Sequence, residues 1–216
     1  MPDTEIYYHD VSRETFHEID KLFDQYRTVL EAYIQRLLWW NRTVNLVSRN
    51  ASADLIQHHV RHSLLLVILS GFQTADIILD AGSGGGLPGI PLAFCFPNKK
   101  FILNDISSKK TRVLNQLKRE LGIKNIGISN YPLKDYTSKE PHVDCIISKH
   151  AFKLGDILSD VDNGGWDNVM LLKGDDFIQE INQISYPVSI DCYKLESGTD
   201  LSFYKGKVML NIQRIW

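Results

Sequence analysis

The chain of 216 residues is 44% hydrophobic and 23% charged, and its formal net charge at pH 7 is −2. This is the composition of a globular protein, and it excludes an intrinsically disordered chain. The longest apolar run, residues 64–69, is six residues long, whereas a membrane-spanning helix needs about 20, so we expect no membrane protein.

The N-terminus and the cysteines indicate a cytoplasmic protein. Residues 1–10 are acidic and polar and contain no apolar segment of a secretory signal peptide. The three cysteines are an odd number, lie far apart and have apolar neighbours: Cys95, Cys145 and Cys192. We therefore expect neither a disulfide framework nor a zinc site. We also expect that the protein is found in a reducing compartment.

The first 70 residues predict helices. Apolar residues at helical spacing follow Ser12 and continue from Val29 to Trp40. Residues 41–50 break this pattern, and Ser52 or Asp54 can cap a further helix. We therefore expect an N-terminal helical extension over residues 1–72.

From about residue 73 the pattern changes to short apolar runs that alternate with helical stretches. The predicted strands are 77–79, 101–103, 126–129, 143–147, 169–172, 188–195 and 207–212, and the predicted helices are 88–96, 109–121, 154–160 and 175–184. This order predicts an α/β domain over residues 73–216, with a mostly parallel sheet and helices on both faces. A turn-rich link joins the last two strands, which predicts an antiparallel hairpin that closes the edge of the sheet.

A glycine loop follows the first of these strands. The strand ends at Asp80, the loop carries Gly82, Gly84 and Gly86, and a helix begins near Pro88. Ligands of doubly wound sheets bind at the carboxyl ends of the strands, and a residue without a Cβ lets a ligand approach the backbone. The loop therefore predicts a ligand site at this edge of the sheet.

Two ligands compete for this loop, and a glycine turn that binds nothing stays open. Residues 84–89 match the G-x-G-x-x-G dinucleotide pattern, whereas residues 80–86 match the D-x-G-x-G-x-G pattern of class I methyltransferases that bind S-adenosylmethionine. We favour the second, because the glycines begin two residues after Asp80 and two prolines crowd the turn. Asp105, at the end of the next strand, is the candidate for the ribose hydroxyls, with a helix cap as the alternative.

Six blocks in the same order resemble the RsmG family, also called glucose-inhibited division protein B. The blocks are W-N-x-x-x-N-L at 40–46, H-V-R-H-S-L at 59–64, D-A-G-S-G-G-G-L-P-G-I-P at 80–91, Asp105 with K-K-x-R at 109–112, S-K at 148–149 and L-K-G at 172–174. The resemblance covers about residues 30–175. It implies a class I, Rossmann-like methyltransferase fold, with a seven-stranded, mostly parallel sheet whose last strand is antiparallel, and N7 methylation of a guanine in 16S ribosomal RNA.

The same resemblance implies a set of residues that bind S-adenosyl-L-methionine. They are Asp80, Gly82, Gly84, Gly86, Leu87, Asp105, Ile106, Ser107, Leu133, Lys134 and Lys149. Three of these residues depart from the family pattern. Lys149 stands where the family usually has arginine, and the family often has a small residue and a glutamate at the positions of Leu133 and Lys134.

Basic charge is concentrated in one segment. Residues 99–124 carry eight Lys or Arg and two acids, whereas residues 150–200 carry ten acids and three Lys. A near-neutral protein can bind RNA through one basic face, and the alternative interpretation is a solvated helix surface. The candidates for RNA binding are Lys109, Lys110, Arg112, Arg119 and Lys149.

Guanine N7 offers a lone pair and carries no proton, so methyl transfer needs no general base and we assign no catalytic residue. His58 and His62 have the spacing of zinc ligands, but the glutamate of the zinc-protease pattern is missing, so we expect no metal. Two alternatives stay open: a non-catalytic RNA-binding or ribosome-assembly protein on the same fold, and an NAD-dependent oxidoreductase. We expect a monomer whose partner is 16S ribosomal RNA or the small ribosomal subunit.

Overall fold

The structure is a computed structural model that describes residues 4–139, 142–195 and 202–215. Its strands form one eight-stranded sheet in the order β1-β7-β8-β6-β5-β2-β3-β4. The strands are β1 (Thr4–Asp10), β2 (Ile77–Ala81), β3 (Lys100–Asn104), β4 (Ile126–Ser129), β5 (Val143–Lys149), β6 (Trp166–Gly174), β7 (Val188–Lys194) and β8 (Lys207–Arg214).

Eight α-helices and three 3₁₀ helices accompany the sheet in the described part of the chain. The α-helices are α1 (Arg13–Gln25), α2 (Arg27–Asn41), α3 (Ala53–Leu64), α4 (Ser70–Thr74), α5 (Gly89–Cys95), α6 (Ser108–Glu120), α7 (Leu133–Lys139) and α8 (Leu154–Val161). The 3₁₀ helices are Leu65–Ile68, Asp175–Gln183 and Ser202–Tyr204. No helix in these ranges is long and apolar enough to cross a membrane.

The sheet reverses its winding at β2. This strand pairs in parallel with β3 on one side and β5 on the other, β3 pairs with β4, and β5 pairs with β6, all in parallel. Only β8 is antiparallel, to both β6 and β7. A switch in winding opens a crevice at the carboxyl ends of the two strands that meet there. The crevice therefore lies beyond the ends of β2 and β5, where the glycine loop begins.

The predicted mostly parallel sheet with an antiparallel last strand is confirmed, and each of the seven predicted strands is present. The sheet has eight strands rather than the predicted seven, because β1 joins it at the edge. Successive residues of a strand point to opposite faces, so β2 serves two cores. Ile78 packs in the core that also holds Phe23 of α1 and Leu37 of α2, whereas Leu79 packs in the core that holds Ile157 of α8. The N-terminal helices therefore cover one face of the sheet.

Side-chain caps begin two of the N-terminal helices, and the one at Ser52 is a cap that the sequence predicts. Ser12 Oγ accepts from the Thr15 backbone N–H at 3.2 Å, and Ser52 Oγ accepts from the Leu55 N–H at 3.1 Å. Such a cap satisfies one of the N–H groups that the first turn of a helix leaves without an intrahelical partner.

Two predictions of local structure were wrong, and two elements, β1 and α7, were missed. The β7–β8 hairpin does not close the sheet, because β1 pairs in parallel with β7 and forms the edge. β1 was missed since most of its residues are exposed and its partner lies about 180 residues away. Residues 175–183 form a 3₁₀ helix rather than an α-helix. Helix α7 was missed because it buries only Leu133 and Thr137 and so has little apolar periodicity. Trp216 and residues 196–201 of the link before β8 lie outside the described residues.

Candidate active site

The glycine loop after β2 is fixed to the end of β3 by hydrogen bonds. The Ser83 N–H donates to the Asn104 carbonyl at 2.9 Å, and the Gly84 N–H donates to Asp105 Oδ2 at 3.0 Å. Gly82 has a φ of +70°, in the left-handed region that favours glycine. A Cβ added at Gly82 would lie 2.6 Å from the Ala151 Cβ, so any other residue at this position would clash with the segment that follows β5.

Residues of α2 and of the segment that follows it pack against the same loop. The buried Tyr33 hydroxyl of α2 donates to the Gly85 carbonyl at 3.0 Å. A Cβ at Gly85 would lie 2.6 Å from Leu37 Cδ1 and 3.2 Å from the Leu46 Cβ. The loop is therefore held between the sheet and residues that precede it by about 40 to 50 positions in the chain.

Asp80 lies beneath the loop and is fully buried. Its Oδ2 accepts from the Gly89 N–H at 2.9 Å, which fixes the turn into α5. Burial raises the pKa of Asp80 to about 7, and Oδ1 has no hydrogen-bond partner among the described residues. Asp80 does not line the cavities described next, so its direct contribution is to the shape of the loop.

Two adjoining cavities form a cleft along the carboxyl ends of the strands, and both are lined by Gly82, Lys110 and Ala151. The first cavity, of about 440 Å³, is further lined by Leu46, Val47, Ser48, His59, Ser83, Gly84, Gly85, Leu87, Lys149 and His150. The second cavity, of about 360 Å³, is further lined by Asn104, Asp105, Ile106, Tyr131, Pro132, Leu133, Phe152 and Asp160.

Asp105 presents a largely buried carboxylate to the second cavity, since only 6% of the residue is exposed. Its Oδ1 accepts from the Ser107 N–H at 2.8 Å, and Lys110 Nζ lies 3.6 Å from Oδ2. Ser107 itself stands at the N-cap of α6, without a side-chain cap. Asp105 is therefore not the helix cap, and it links the glycine loop to the start of α6.

The second cavity also has an uncovered apolar rim. Ile106 is 72% exposed and Tyr131 is 61% exposed, whereas Leu133 beside them is buried. Both exposed side chains line the cavity next to Asp105. An apolar rim beside a carboxylate suits a flat ligand that carries hydroxyl groups at one end, because the ring can cover the apolar side chains.

Lys149 dominates the charge of the first cavity. It ends β5, and its Nζ donates to Nδ1 of His59 at 3.0 Å. Burial lowers the pKa of Lys149 to about 8 and that of His59 to about 3. The His59 ring is therefore neutral at pH 7 and able to accept from the lysine. His59 was not among the predicted site residues, because it lies 90 positions before Lys149.

His58 and His62 both pack against Phe203 and do not belong to a group of metal-ligating side chains in the described residues. The His58 ring stacks on Phe203, with centroids 5.2 Å apart, whereas His62 is fully buried and packs edge-on against Phe203 and Tyr204. The metal-like grouping found in the described ranges is His142, Asp144 and Asp167, whose ligand atoms lie within 4.8 Å of one another. It stands at the opposite end of the strands from the cleft, and Asp144 Oδ2 accepts from the backbone N–H groups of residues 76 and 77.

The predicted RNA-binding residues of α6 divide between two surfaces. Lys110 lines the cleft, whereas Lys109, Arg112 and Arg119 line a groove of about 440 Å³ between α6 and the end of α2. Trp40 lines the opposite wall of this groove. Cationic side chains opposite an indole form a surface that suits RNA.

Most of the predicted cofactor residues lie along the cleft. Gly82, Gly84, Leu87, Asp105, Ile106, Leu133 and Lys149 line it. Gly86 and Ser107 line neither cavity and lie in the backbone of the loop and of the turn into α6. Lys134 is exposed on the first turn of α7 and lines neither cavity. Sequence reasoning missed Leu46, His59, Ala151 and Asp160, which come from other parts of the chain.

Comparison with known proteins gives a family match and a fold match. A family model described as rRNA small subunit methyltransferase G matches residues 27–202. The ribosomal RNA small subunit methyltransferase G of Cytophaga hutchinsonii is 32% identical over 185 residues, which are 80% of this chain and 85% of that protein. The protein of the same name from Phocaeicola vulgatus is 29% identical over 199 residues, 88% and 93% of the two chains. Among solved structures, the fold is similar to the crystal structure of magnesium protoporphyrin IX methyltransferase from Synechocystis with bound SAM, with a TM-score of 0.53. The similarity covers 77% of this chain and 86% of that chain, and the two sequences are 17% identical.

Proposed function

The chain belongs to the family of ribosomal RNA small subunit methyltransferase G, and we propose that it transfers a methyl group from S-adenosylmethionine to N7 of a guanine in 16S ribosomal RNA. The observation that carries the proposal is the two-part cleft. One part combines the Asp105 carboxylate with an apolar rim, and the other combines Lys149 with the glycine backbone. Incorporation of a labelled methyl group into unmodified small-subunit RNA tests the proposal.

The cleft fits S-adenosylmethionine. The buried Asp105 carboxylate offers acceptor lone pairs for the ribose hydroxyls, and Ile106, Tyr131 and Leu133 offer apolar surface to the adenine ring. Gly82 lines both cavities and keeps the passage between them free of a Cβ. The methionine part then extends toward Leu87 and Lys149 in the first cavity.

The bound donor supplies an electrophilic methyl group on a sulfonium sulfur. The N7 lone pair forms the new bond to that carbon while the carbon–sulfur bond breaks, so no side chain has to remove a proton. The residues of the first cavity therefore act by orientation and by exclusion of water, which can provide a large part of the rate enhancement. Leu46 and Val47, from the loop between α2 and α3, form one wall of that cavity.

We expect the reaction to depend on the charge of Lys149. A lysine whose pKa is lowered to about 8 by burial is a cation below that pH and neutral above it. The cation is the form that pairs with the donor carboxylate or an RNA phosphate. The value of kcat/KM should therefore fall by about tenfold for each pH unit above 8. A pH profile of methyl transfer from pH 6.5 to 9.5 measures this dependence.

Two variants serve as controls for this profile. Lys149→Arg keeps its charge over the whole range and restores a two-pronged donor, so it should keep or raise the activity at pH 7 and remove the decline. Lys149→Met should be less active and independent of pH. The charged groups near Lys149 are Lys207 on β8 and Asp80 on β2. A decline above pH 8 that persists in Lys149→Arg would contradict the proposed role.

We also propose that Lys109, Arg112 and Arg119 contact RNA phosphates. Each neutralised phosphate contributes about −0.7 to −0.9 to the slope of log Kobs against log salt. Replacing all three residues by glutamine should therefore make the slope less negative by about two to three units. Filter binding of small-subunit RNA between 50 and 300 mM salt measures the slope, and binding of S-adenosylhomocysteine should not change.

A charge-matched triple variant controls for net charge. Lys124, Lys139 and Lys205 are exposed and line neither the cleft nor the groove at α6. Their replacement by glutamine removes the same charge and should leave the slope nearly unchanged. Equal effects of the two triple variants would show that binding follows the net charge of the protein rather than the surface of α6.

We further propose that the protein acts as a monomer in the cytoplasm, on 16S ribosomal RNA or the small subunit, and without a metal. The division into an N-terminal extension (1–72) and a methyltransferase domain (73–216) also stays a proposal. The hydrogen bond from Tyr33 to Gly85 supports a direct role for the extension in shaping the cofactor loop.

A further inference from the structure

Asp160 is an acidic residue of the second cavity that the proposed function does not use. It lies near the end of α8, on a different element from Asp105. The Asp160 backbone carbonyl accepts from the Thr137 hydroxyl of α7 at 3.0 Å, which fixes this turn of α8 against α7. The cavity is therefore lined by two carboxylates that come from separate parts of the fold.

The two carboxylates differ in their partners. Both oxygens of Asp105 accept backbone N–H groups, and Lys110 lies beside them. No hydrogen bond or ion pair to the Asp160 carboxylate is found among the described residues. The side chain is half-buried, and burial raises its pKa. A partly buried carboxylate without a hydrogen-bond donor loses part of its solvation, and the charge of Lys134 offsets part of this loss. Asp160 is therefore an acceptor that a ligand in the cavity can use.

The chemistry of the cavity indicates which ligand group this is. The exposed Ile106 and Tyr131 offer apolar surface, and Asp105 is the acceptor proposed for the ribose hydroxyls. The exocyclic amino group of adenine has two N–H donors, and a carboxylate accepts only. A carbonyl oxygen at the same ring position would face the carboxylate with another acceptor and would be rejected, as expected when a buried polar group is left unpaired.

We infer that Asp160 accepts a hydrogen bond from the amino group of adenine and makes the cleft select adenosine over inosine. The inference rests on the proposed function, because it requires the adenosine part of the donor to occupy the second cavity. Lys134 lies close enough to lower the pKa of Asp160. Its ammonium group donates only, so it does not provide the acceptor itself.

The test is a pair of ligands that differ only at this edge of the purine. S-adenosylhomocysteine carries the amino group there, whereas S-inosylhomocysteine carries a carbonyl oxygen and a proton on the neighbouring ring nitrogen N1. Calorimetry at pH 7.5 should show that the wild-type protein prefers the adenosine compound by at least about 30-fold. In Asp160→Asn the affinity for S-adenosylhomocysteine should fall by about 10- to 100-fold. The preference for the adenosine compound over the inosine compound should shrink to about threefold, because the asparagine amide can donate to the inosine carbonyl.

Two variants separate this role from a structural one. Asp156→Asn removes an exposed carboxylate one turn earlier on α8 and should keep the wild-type preference. Lys134→Met removes the neighbouring cation and should also keep the preference. If Lys134→Met reproduced the effect of Asp160→Asn, an ion pair between α7 and α8 would explain it and the inference would be overturned.

The remaining outcomes are decisive as well. Equal losses for both ligands in Asp160→Asn, or no loss for either, would overturn the role of Asp160 while leaving the proposed function intact. Failure of the wild-type protein to bind S-adenosylhomocysteine would overturn the proposed function and, with it, this inference. Thermal unfolding of each variant shows whether it is folded. The ratio of the two affinities does not depend on the folded fraction, so the preference can be compared even between variants of different stability.

Discussion

Replacing Asp105 by alanine is expected to lower the affinity for S-adenosylhomocysteine by at least about 100-fold and to abolish methyl transfer. The substitution removes the proposed acceptor of the ribose hydroxyls, and a hydrogen bond to a charged group contributes about 1.5–3 kcal/mol. It also leaves the Gly84 and Ser107 N–H groups without their acceptor, so the glycine loop loses its link to α6. Calorimetry with S-adenosylhomocysteine measures the loss.

Two further variants define what the loss means. Asp105→Asn keeps one acceptor oxygen and should retain part of the affinity. Asp135→Ala removes an exposed carboxylate on the first turn of α7 that lines neither cavity, and it should bind like the wild-type protein. RNA binding should survive in Asp105→Ala. Wild-type donor affinity in this variant would refute the assignment of the ribose site.

Replacing Gly82 by alanine is expected to reduce methyl transfer by more than about 100-fold. The added Cβ would lie 2.6 Å from the Ala151 Cβ, and the residue would keep a φ of +70°. The left-handed conformation alone costs about 1–2 kcal/mol. The clash adds to this cost and pushes the segments that follow β2 and β5 apart at the point where the two cavities meet. Single-turnover methyl transfer measures the effect.

Gly122 provides the matched control for this variant. It has a φ of +66°, and a Cβ added there would meet no atom within 4 Å. Gly122→Ala therefore carries the same kind of backbone strain without the clash, at the end of α6 and away from the cleft. It should lower the melting temperature slightly and keep its activity. Equal losses of activity in the two variants would show that general instability, and not obstruction of the cleft, is responsible.

The sheet and the loop were predictable because their signals are local. The central strands are buried on both faces and therefore read as short apolar runs, and five of the seven residues of β5 are fully or nearly fully buried. The acid, glycine and proline pattern at 80–91 indicates a turn from neighbouring residues alone, although contacts with Tyr33, Asn104 and Asp105 also hold the loop. Asp105 could be placed because the ends of adjacent parallel strands meet at one edge of the sheet.

The remaining parts depend on contacts between distant segments. β1 pairs with a strand near the other end of the chain, and its own residues are mostly exposed. His59 reaches Lys149 only because α3 packs over the end of β5. Asp160 lines the cleft because α8 packs against α7 through Thr137, and α7 itself has little apolar periodicity. The spacing of residues in the sequence therefore does not predict where β1, His59 and Asp160 lie in the fold.

The most direct test of the central claim is transfer of a labelled methyl group from S-adenosylmethionine to unmodified 16S ribosomal RNA, both free and within small-subunit particles. Chemical cleavage at 7-methylguanine maps the product. We predict that the label is found at N7 of a single guanine and that the Gly82→Ala variant incorporates at least about 100-fold less of it. Measurable donor binding with no transfer to RNA in either form, or label on another atom, would contradict the proposed function.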